Sequence, residues 1–298
     1  MKNAVKIACF VLAILIIVGT GSFIYLKDVW DFDFVDGPEK GTVVLMGYYG
    51  ESKNIVIPDK LRGKKVVSIG ESAFERSDIV SVELGKYITN IDKNAFRECK
   101  KLKSVKLNEG ILGLGESAFL SCEVLDTVNI PSTLEKLNDA VFAQSAIKDL
   151  DFSKNDNFVL ENGVVYSKDM TKVYFALPKA DLSDYVCPDT VQKIGAFAFC
   201  RHEELKSFTI PDGVARLESA AFLGCKSLKE LKLPDSVVYI GPLAVSESGI
   251  QKIYIPKQTA TIDKSAFLQL ENQLTIVTPD KSPAAKFAAE NKFKVEKG

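Results

Sequence analysis

The chain has a single histidine, and its six cysteines include no Cys-x-x-Cys pair. One histidine is a thin basis for Ser/His/Asp or Cys/His catalysis, and the cysteine spacing makes a poor zinc ligand set. Six cysteines in 298 residues is also too sparse for a small disulfide scaffold. No phosphate-binding G-x-x-x-x-G-K-[ST] loop, H-E-x-x-H helix or EF-hand loop is present. The loop carboxylates Asp149, Asp151, Asp156 and Asp169 are scattered, as solvated residues are, so neither metal nor cofactor is expected. Charge of one sign is missing too. With 38 basic and 39 acidic side chains the net charge is -1, which gives no global attraction to nucleic acid or an anionic membrane. What is present, 46% hydrophobic and 26% charged residues, is ordinary folded composition.

One long apolar run stands at the amino terminus. Lys2 and Lys6 precede Ile7 to Leu26, a stretch of the length a helix needs to cross a bilayer. Asp28, Asp31, Asp33, Asp36 and Glu39 follow it. The positive-inside rule then places the amino terminus in the cytoplasm and the remainder outside the cell, anchored through this transmembrane helix. Cleavage near Gly21 as a signal peptide is the alternative, and it would make the protein secreted.

The rest repeats itself. From Leu205 to Ser227 apolar residues fall at places 1, 4, 6, 10 and 13, proline at 7, Ala-Phe at 17 and 18 and cysteine at 21. Ala73-Phe74, Ala95-Phe96, Ala118-Phe119, Val141-Phe142, Ala198-Phe199, Ala221-Phe222, Ala244-Val245 and Ala266-Phe267 keep the register, in steps of 22 or 23 residues outside one gap. The apolar openers Ile79, Leu102, Leu125, Ile147, Leu182, Leu205, Leu228 and Ile250 keep it independently, with Leu274 opening a last strand. Such a period marks a solenoid, whose rungs bury their apolar faces only by stacking. Places 1 to 6 predict a strand that proline ends, having no N–H for the ladder. In the gap, Asn157 to Pro178 predicts strands around Asn162-Gly163 and Lys168-Asp169 turns. Around Asp36-Gly37-Pro38 a hairpin is expected to cap the first rung. Ser282-Pro283 predicts a helix start, with a short strand around Lys294 and Val295.

This frame resembles the BspA-like leucine-rich-repeat family over about Asn54 to Val295. The resemblance implies bacterial surface proteins that bind other proteins, with adhesion the usual role and no catalytic residues to carry over. The expected fold is a leucine-rich-repeat solenoid, a β-rich right-handed coil of 22–23-residue rungs. It divides into an anchor or signal peptide (1–27), a capping hairpin (28–50), repeats (51–152), an inserted β-hairpin (153–181), repeats (182–277) and a helical cap (278–298). Departures from the frame are Val141, Val245 and His202. His202 occupies the cysteine place and is expected to be a core spacer rather than a base. Cys99 and Cys122 hold equivalent places on adjacent rungs, so they are packing residues or, outside the cell, a disulfide.

Places 2, 3 and 5 of each strand should face outward. They present Lys103 and Lys106, then Asp126, Asp149 and Asp151, then Lys206, Lys229, Lys232, Lys252 and Tyr254, a face that is basic, acidic and basic again. These ten residues are the candidate partner-binding set, with Tyr166, Tyr174 and Phe175 of the insert as helpers. The expected protein is a non-enzymatic monomer that binds a protein ligand but no nucleic acid. A structural spacer or subunit of a cell-envelope complex is the alternative.

Overall fold

The computed structural model describes residues 31–298, so the apolar run from Ile7 to Leu26 lies outside the described residues. Among the described residues no helix is long and apolar enough to cross a membrane.

Each regular rung has three sides. In the rung opened by Ile79, Ser81–Glu83 is a first strand and Asn90–Ile91 a second. The sequence pattern suggested only one strand per rung, because a two-residue strand is too short to show alternation. Rungs stack parallel and in register, pairing Val82 with Val105 and Val105 with Val128 on the first side. Ile69, Ile91, Leu114 and Leu137 align likewise on the second. The third side carries Ala-Phe. There the amides of Phe74, Phe96 and Phe119 donate to the carbonyls of Ala95, Ala118 and Val141 at 2.7, 2.8 and 2.9 Å. Residues flanking the pair, such as Asn94 and Glu98, both with φ 57°, are left-handed, so the turn stays flat enough to stack.

The phenylalanines form a column. Ring centroids run 4.9 Å from Phe74 to Phe96, 5.2 Å on to Phe119 and 5.4 Å on to Phe142, with planes within 13°. Burying each ring stabilises the fold by about 1.5–3 kcal/mol, and a favourable ring pair adds about 0.5–1.5 kcal/mol. The cysteine place serves this column. Cys99, Cys122 and Cys225 donate their thiols to the carbonyls of Phe74, Phe96 and Phe199 at 2.9, 3.1 and 3.1 Å. Both Cys99 and Cys122 are free thiols.

The insert forms three strands, Phe158–Glu161, Val164–Ser167 and Lys172–Ala176, with left-handed Asn162 and Gly163 (φ 49° and 76°) at the first turn. Its last strand pairs parallel with Lys193–Ile194 and so starts the next stack. The strands also separate two apolar cores. Phe158, Val165, Phe175 and Leu177 join the core that begins at Phe32. Val164, Tyr166, Val173 and Ala176 join the one that ends at Ala288. Alternation along a strand sends neighbours to opposite faces, and here both faces are buried. On the flank of this wall Lys172 Nζ bonds Asp139 Oδ1 at 2.7 Å, while Ala196 N donates to the same carboxylate at 3.3 Å. Burial pushes the Lys172 pKa down, and the Asp139 carboxylate opposes that shift.

Ile147, Leu182 and Leu205 were expected to open strands, but places 1–6 of those rungs are not paired into a ladder. The first-side sheet is therefore split into one from Asn54 to Val128 and one from Glu230 to Lys297. Two features flank the split. Past the last paired strand, the Asn129 side chain continues the contact with the preceding rung, accepting from Leu107 N at 2.8 Å and donating to Leu107 O at 2.9 Å. At place 4, Tyr185 and Phe208 replace the usual aliphatic residues, and their rings sit 5.9 Å apart.

Both ends are covered. Strands Phe32–Asp36 and Thr42–Tyr48 form the amino-terminal hairpin and set Tyr48 on Phe74. Just before the first regular rung, Lys60–Leu61 and the start of Lys64–Ile69 make a tight hairpin turning at left-handed Arg62 and Gly63. At the other end helix α1, Pro283–Glu290, is capped by Ser282, whose hydroxyl accepts from Ala285 N at 3.0 Å. Phe287 and Phe293 each pack edge-on to Phe267 at 5.7 Å.

Candidate partner-binding face

The outward-pointing places carry the candidate residues as expected. Lys103, Lys106, Asp126, Asp149, Asp151, Lys206, Lys229 and Lys232 are exposed, while Lys252 and Tyr254 are half-buried. They do not form one continuous sheet, because Asp149, Asp151 and Lys206 lie in the rungs without a ladder. The acidic members are held locally. Asp126 accepts from the Thr127 hydroxyl at 2.8 Å, Asp149 from Leu150 N at 2.9 Å and Asp151 from Ser153 N at 2.8 Å. The Ser153 hydrogen bonds lower the Asp151 pKa. Lys106 is paired across rungs with Glu83 at 2.6 Å.

Three candidates come together at the carboxyl-terminal sheet. Lys229, Lys252 and Tyr254 line an open depression of 510 Å³ with Glu230, Gln251, Gln273, Thr275, Lys294 and Glu296. Tyr254 is the aromatic member of the lining, with Lys232 Nζ 5.1 Å from the ring centre. Lys252 Nζ bonds Glu296 at 2.8 Å, which raises the lysine pKa and lowers the glutamate pKa. Residues Gln273, Lys294 and Glu296 were not expected here. A strand around Lys294 is legible in the sequence, but its place beside Thr275–Thr278 is a tertiary pairing that local pattern does not reveal.

The insert's aromatic residues do not serve the face. Tyr166 and Phe175 are each 2% exposed, and Tyr174 is half-buried with Lys172 Nζ 3.9 Å from its ring centre. Alternation could not reveal this, because neither face of the insert is solvated. The Tyr166 hydroxyl meets that of Tyr185 at 2.7 Å, and burial pushes the Tyr166 pKa up to about 12. The folded pKa lies above the unfolded value of about 10, so this contribution is complete below pH 10. It is lost as pH rises towards 12. Thermal melts over that window should show falling stability together with tyrosinate absorbance, and a melting temperature that is flat above pH 10 would contradict the sign.

His202 is 3% exposed in the cysteine place, with Nδ1 3.0 Å from a Glu204 carboxylate oxygen. It is a buried core-edge residue rather than part of a cleft. A second open depression, of 340 Å³, lies on the other sheet, where glycine at position 113 leaves a gap between Asn90 and Lys136. A Cβ on Gly113 would stand 2.7 Å from Asn90 Oδ1, so the gap depends on glycine.

The family described as BspA type leucine rich repeat region matches residues 48–171 and 168–288 in six copies. The chain belongs to that family. Two solved structures share the BspA-type chain's fold. One is the pneumococcal vaccine antigen PcpA, at 15% identity over 90% of this chain and 96% of that one, with a TM-score of 0.51. The other is a leucine-rich repeat protein from Eubacterium ventriosum, at 18% identity over 85% and 77%, also with a TM-score of 0.51. At these identities the likeness concerns the fold alone. No curated protein matches the chain. The BspA-type repeats are a scaffold, and no catalytic family is indicated.

Proposed function

We propose that this BspA-type protein is a non-enzymatic binding protein of the bacterial surface, which docks a protein partner through the outward face of its first-side strands. The observation that carries the reading is the depression around Lys229, Lys252 and Tyr254. There one tyrosine, lysines, glutamates and amide side chains converge on an otherwise regular sheet. Aromatic residues ringed by polar groups are what protein interfaces concentrate at their centres. Adhesion, attachment through the amino-terminal apolar run and an extracellular orientation belong to the same proposal. Protease added to intact cells should digest residues 31–298 if that orientation holds, and full protection would reject it.

Lys229→Glu with Lys232→Glu is expected to weaken capture of the physiological partner by about tenfold or more, about 1.4 kcal/mol, while the melting temperature stays unchanged. Unchanged affinity of an identified partner would exclude this surface. The pairing of Lys106 with Glu83 and of Lys252 with Glu296 favours the other reading, a solvated envelope spacer whose surface charges neutralise one another. A spacer would tolerate the double substitution without loss of function in the cell.

A further inference from the structure

Five cations gather at one corner of the amino-terminal end. There the two-residue strand Lys60–Leu61 folds back on the start of Lys64–Ile69, setting Lys60 opposite Lys65. Leu61 is fully buried, which pins the hairpin and turns its neighbours Lys60 and Arg62 out into solvent. Lys86 joins them from the next rung, its Nζ 5.1 Å and that of Lys65 4.8 Å from the Tyr87 ring centre. Lys60, Arg62, Lys64, Lys65 and Lys86 meet only two carboxylates, Asp36 bonded to Lys64 and Asp59 at 3.1 Å from Lys86, a net of +3. Glu39 and Lys40 on the adjoining turn cancel. Lys60 and Lys65 have no ion-pair partner among the described residues. Further down the same corner the sign reverses. At place 8, where Lys86 stands in its rung, Glu109, Asp189, Asp212 and Asp235 outnumber Lys154 and Lys257 in later ones. The basic cluster is confined to the end at which the described chain begins.

The geometry points to anionic phospholipid headgroups as the partner of this corner. The inference rests on the proposed attachment through the apolar run and adds an orientation to it. Only Lys27 to Trp30 separate Leu26 from Asp31, so the stack begins at most about 18 Å along the chain from that run. The strand Phe32–Asp36 is the open edge of its sheet, followed by Thr42–Tyr48 and then Lys64–Ile69. Lys64 and Lys65 therefore lie two strand spacings, about 10 Å, below that edge. An edge set on a bilayer brings them within about one Debye length of the headgroups, where each uncompensated cation adds attraction. Asp31 and Asp33 stand at the other end of the edge strand from Asp36, and the same surface repels them. The stack then tilts onto its basic corner, and the depression around Lys229 and Tyr254, at the far end, stays clear of the bilayer.

The test places the full chain in lipid nanodiscs of phosphatidylcholine, alone or with about a third phosphatidylglycerol, and follows amine-reactive labelling of single lysines by mass spectrometry. Labelling of Lys60 and Lys65 should slow by about fivefold or more in the anionic discs and recover at about 500 mM salt, while Lys229 and Lys232 label equally in both. Lys60→Glu with Arg62→Glu should abolish the protection of Lys65, and Lys60→Arg should keep it, with the melting temperature unchanged in both variants. Equal labelling of Lys60 and Lys65 in the two kinds of disc overturns the inference, and co-elution of the chain with both kinds then leaves the attachment standing. A chain that co-elutes with the anionic discs alone, in a salt-sensitive way, supports the basic corner and rejects the attachment. Elution apart from both kinds rejects both. Protection by soluble poly-L-glutamate but not by anionic discs overturns the lipid partner in favour of an acidic protein.

Discussion

Replacing Phe119 by alanine is expected to unfold the amino-terminal stack under conditions that leave the carboxyl-terminal stack ordered. Phe119 is fully buried and has a ring partner on each side, Phe96 at 5.2 Å and Phe142 at 5.4 Å. Truncating a buried phenylalanine costs about 3–5 kcal/mol, and the neighbouring rungs cannot close the cavity while their ladders hold them in register. The loss belongs to the core that runs from Phe32 to Leu177, because the second core is built from other residues. Hydrogen exchange should show lost protection at Phe96 and at position 119 with retained protection at Phe222 and Ala244. Phe222→Ala should do the reverse. Equal loss in both halves, with a single coincident unfolding transition, would mean that the two stacks form one cooperative unit.

The second large effect concerns two neighbours in sequence. Val164 and Val165 are both fully buried, but Val164 packs in the second core and Val165 in the first. An aspartate at either place puts an unpaired carboxylate into an apolar core, at a cost of at least several kcal/mol unless it protonates. Val165→Asp should therefore deprotect the amino-terminal rungs first, and Val164→Asp the carboxyl-terminal rungs. Proteolysis mapped by mass spectrometry would then give two different stable fragments from substitutions one residue apart. The same fragment from both variants would show that the insert does not divide the cores.

Much of this architecture was legible because each rung restates it. The Phe column, the cysteine place and the buried histidine at 202 follow from register alone, since stacking turns a sequence period into a spatial row. The hairpin turns at Asp36-Gly37-Pro38 and Asn162-Gly163 were legible from residues suited to tight turns. The left-handed backbone at Arg76, Glu98, Gln144 and Glu247 was not, because none of these is a residue that favours it. The ladder bonds of adjacent rungs impose that conformation. Nor did the pattern disclose that the rungs at Ile147, Leu182 and Leu205 lack strand pairing. Their apolar places are filled as in any other rung, so a pattern of apolar places does not tell a paired strand from an unpaired one. The candidate face was legible residue by residue, but not the depression, which needs Lys294 and Glu296 brought in from the far side of helix α1.

The dividing strands also set an order of events during synthesis. Because the chain leaves the ribosome amino end first, every residue of the first core has emerged once Leu177 is out, ahead of the rungs from Leu182 onward. The first stack can then close as a finished half whose wall exposes Val164, Tyr166 and Val173. That wall is a ready template on which Lys193–Ile194 and each later rung can be laid in turn.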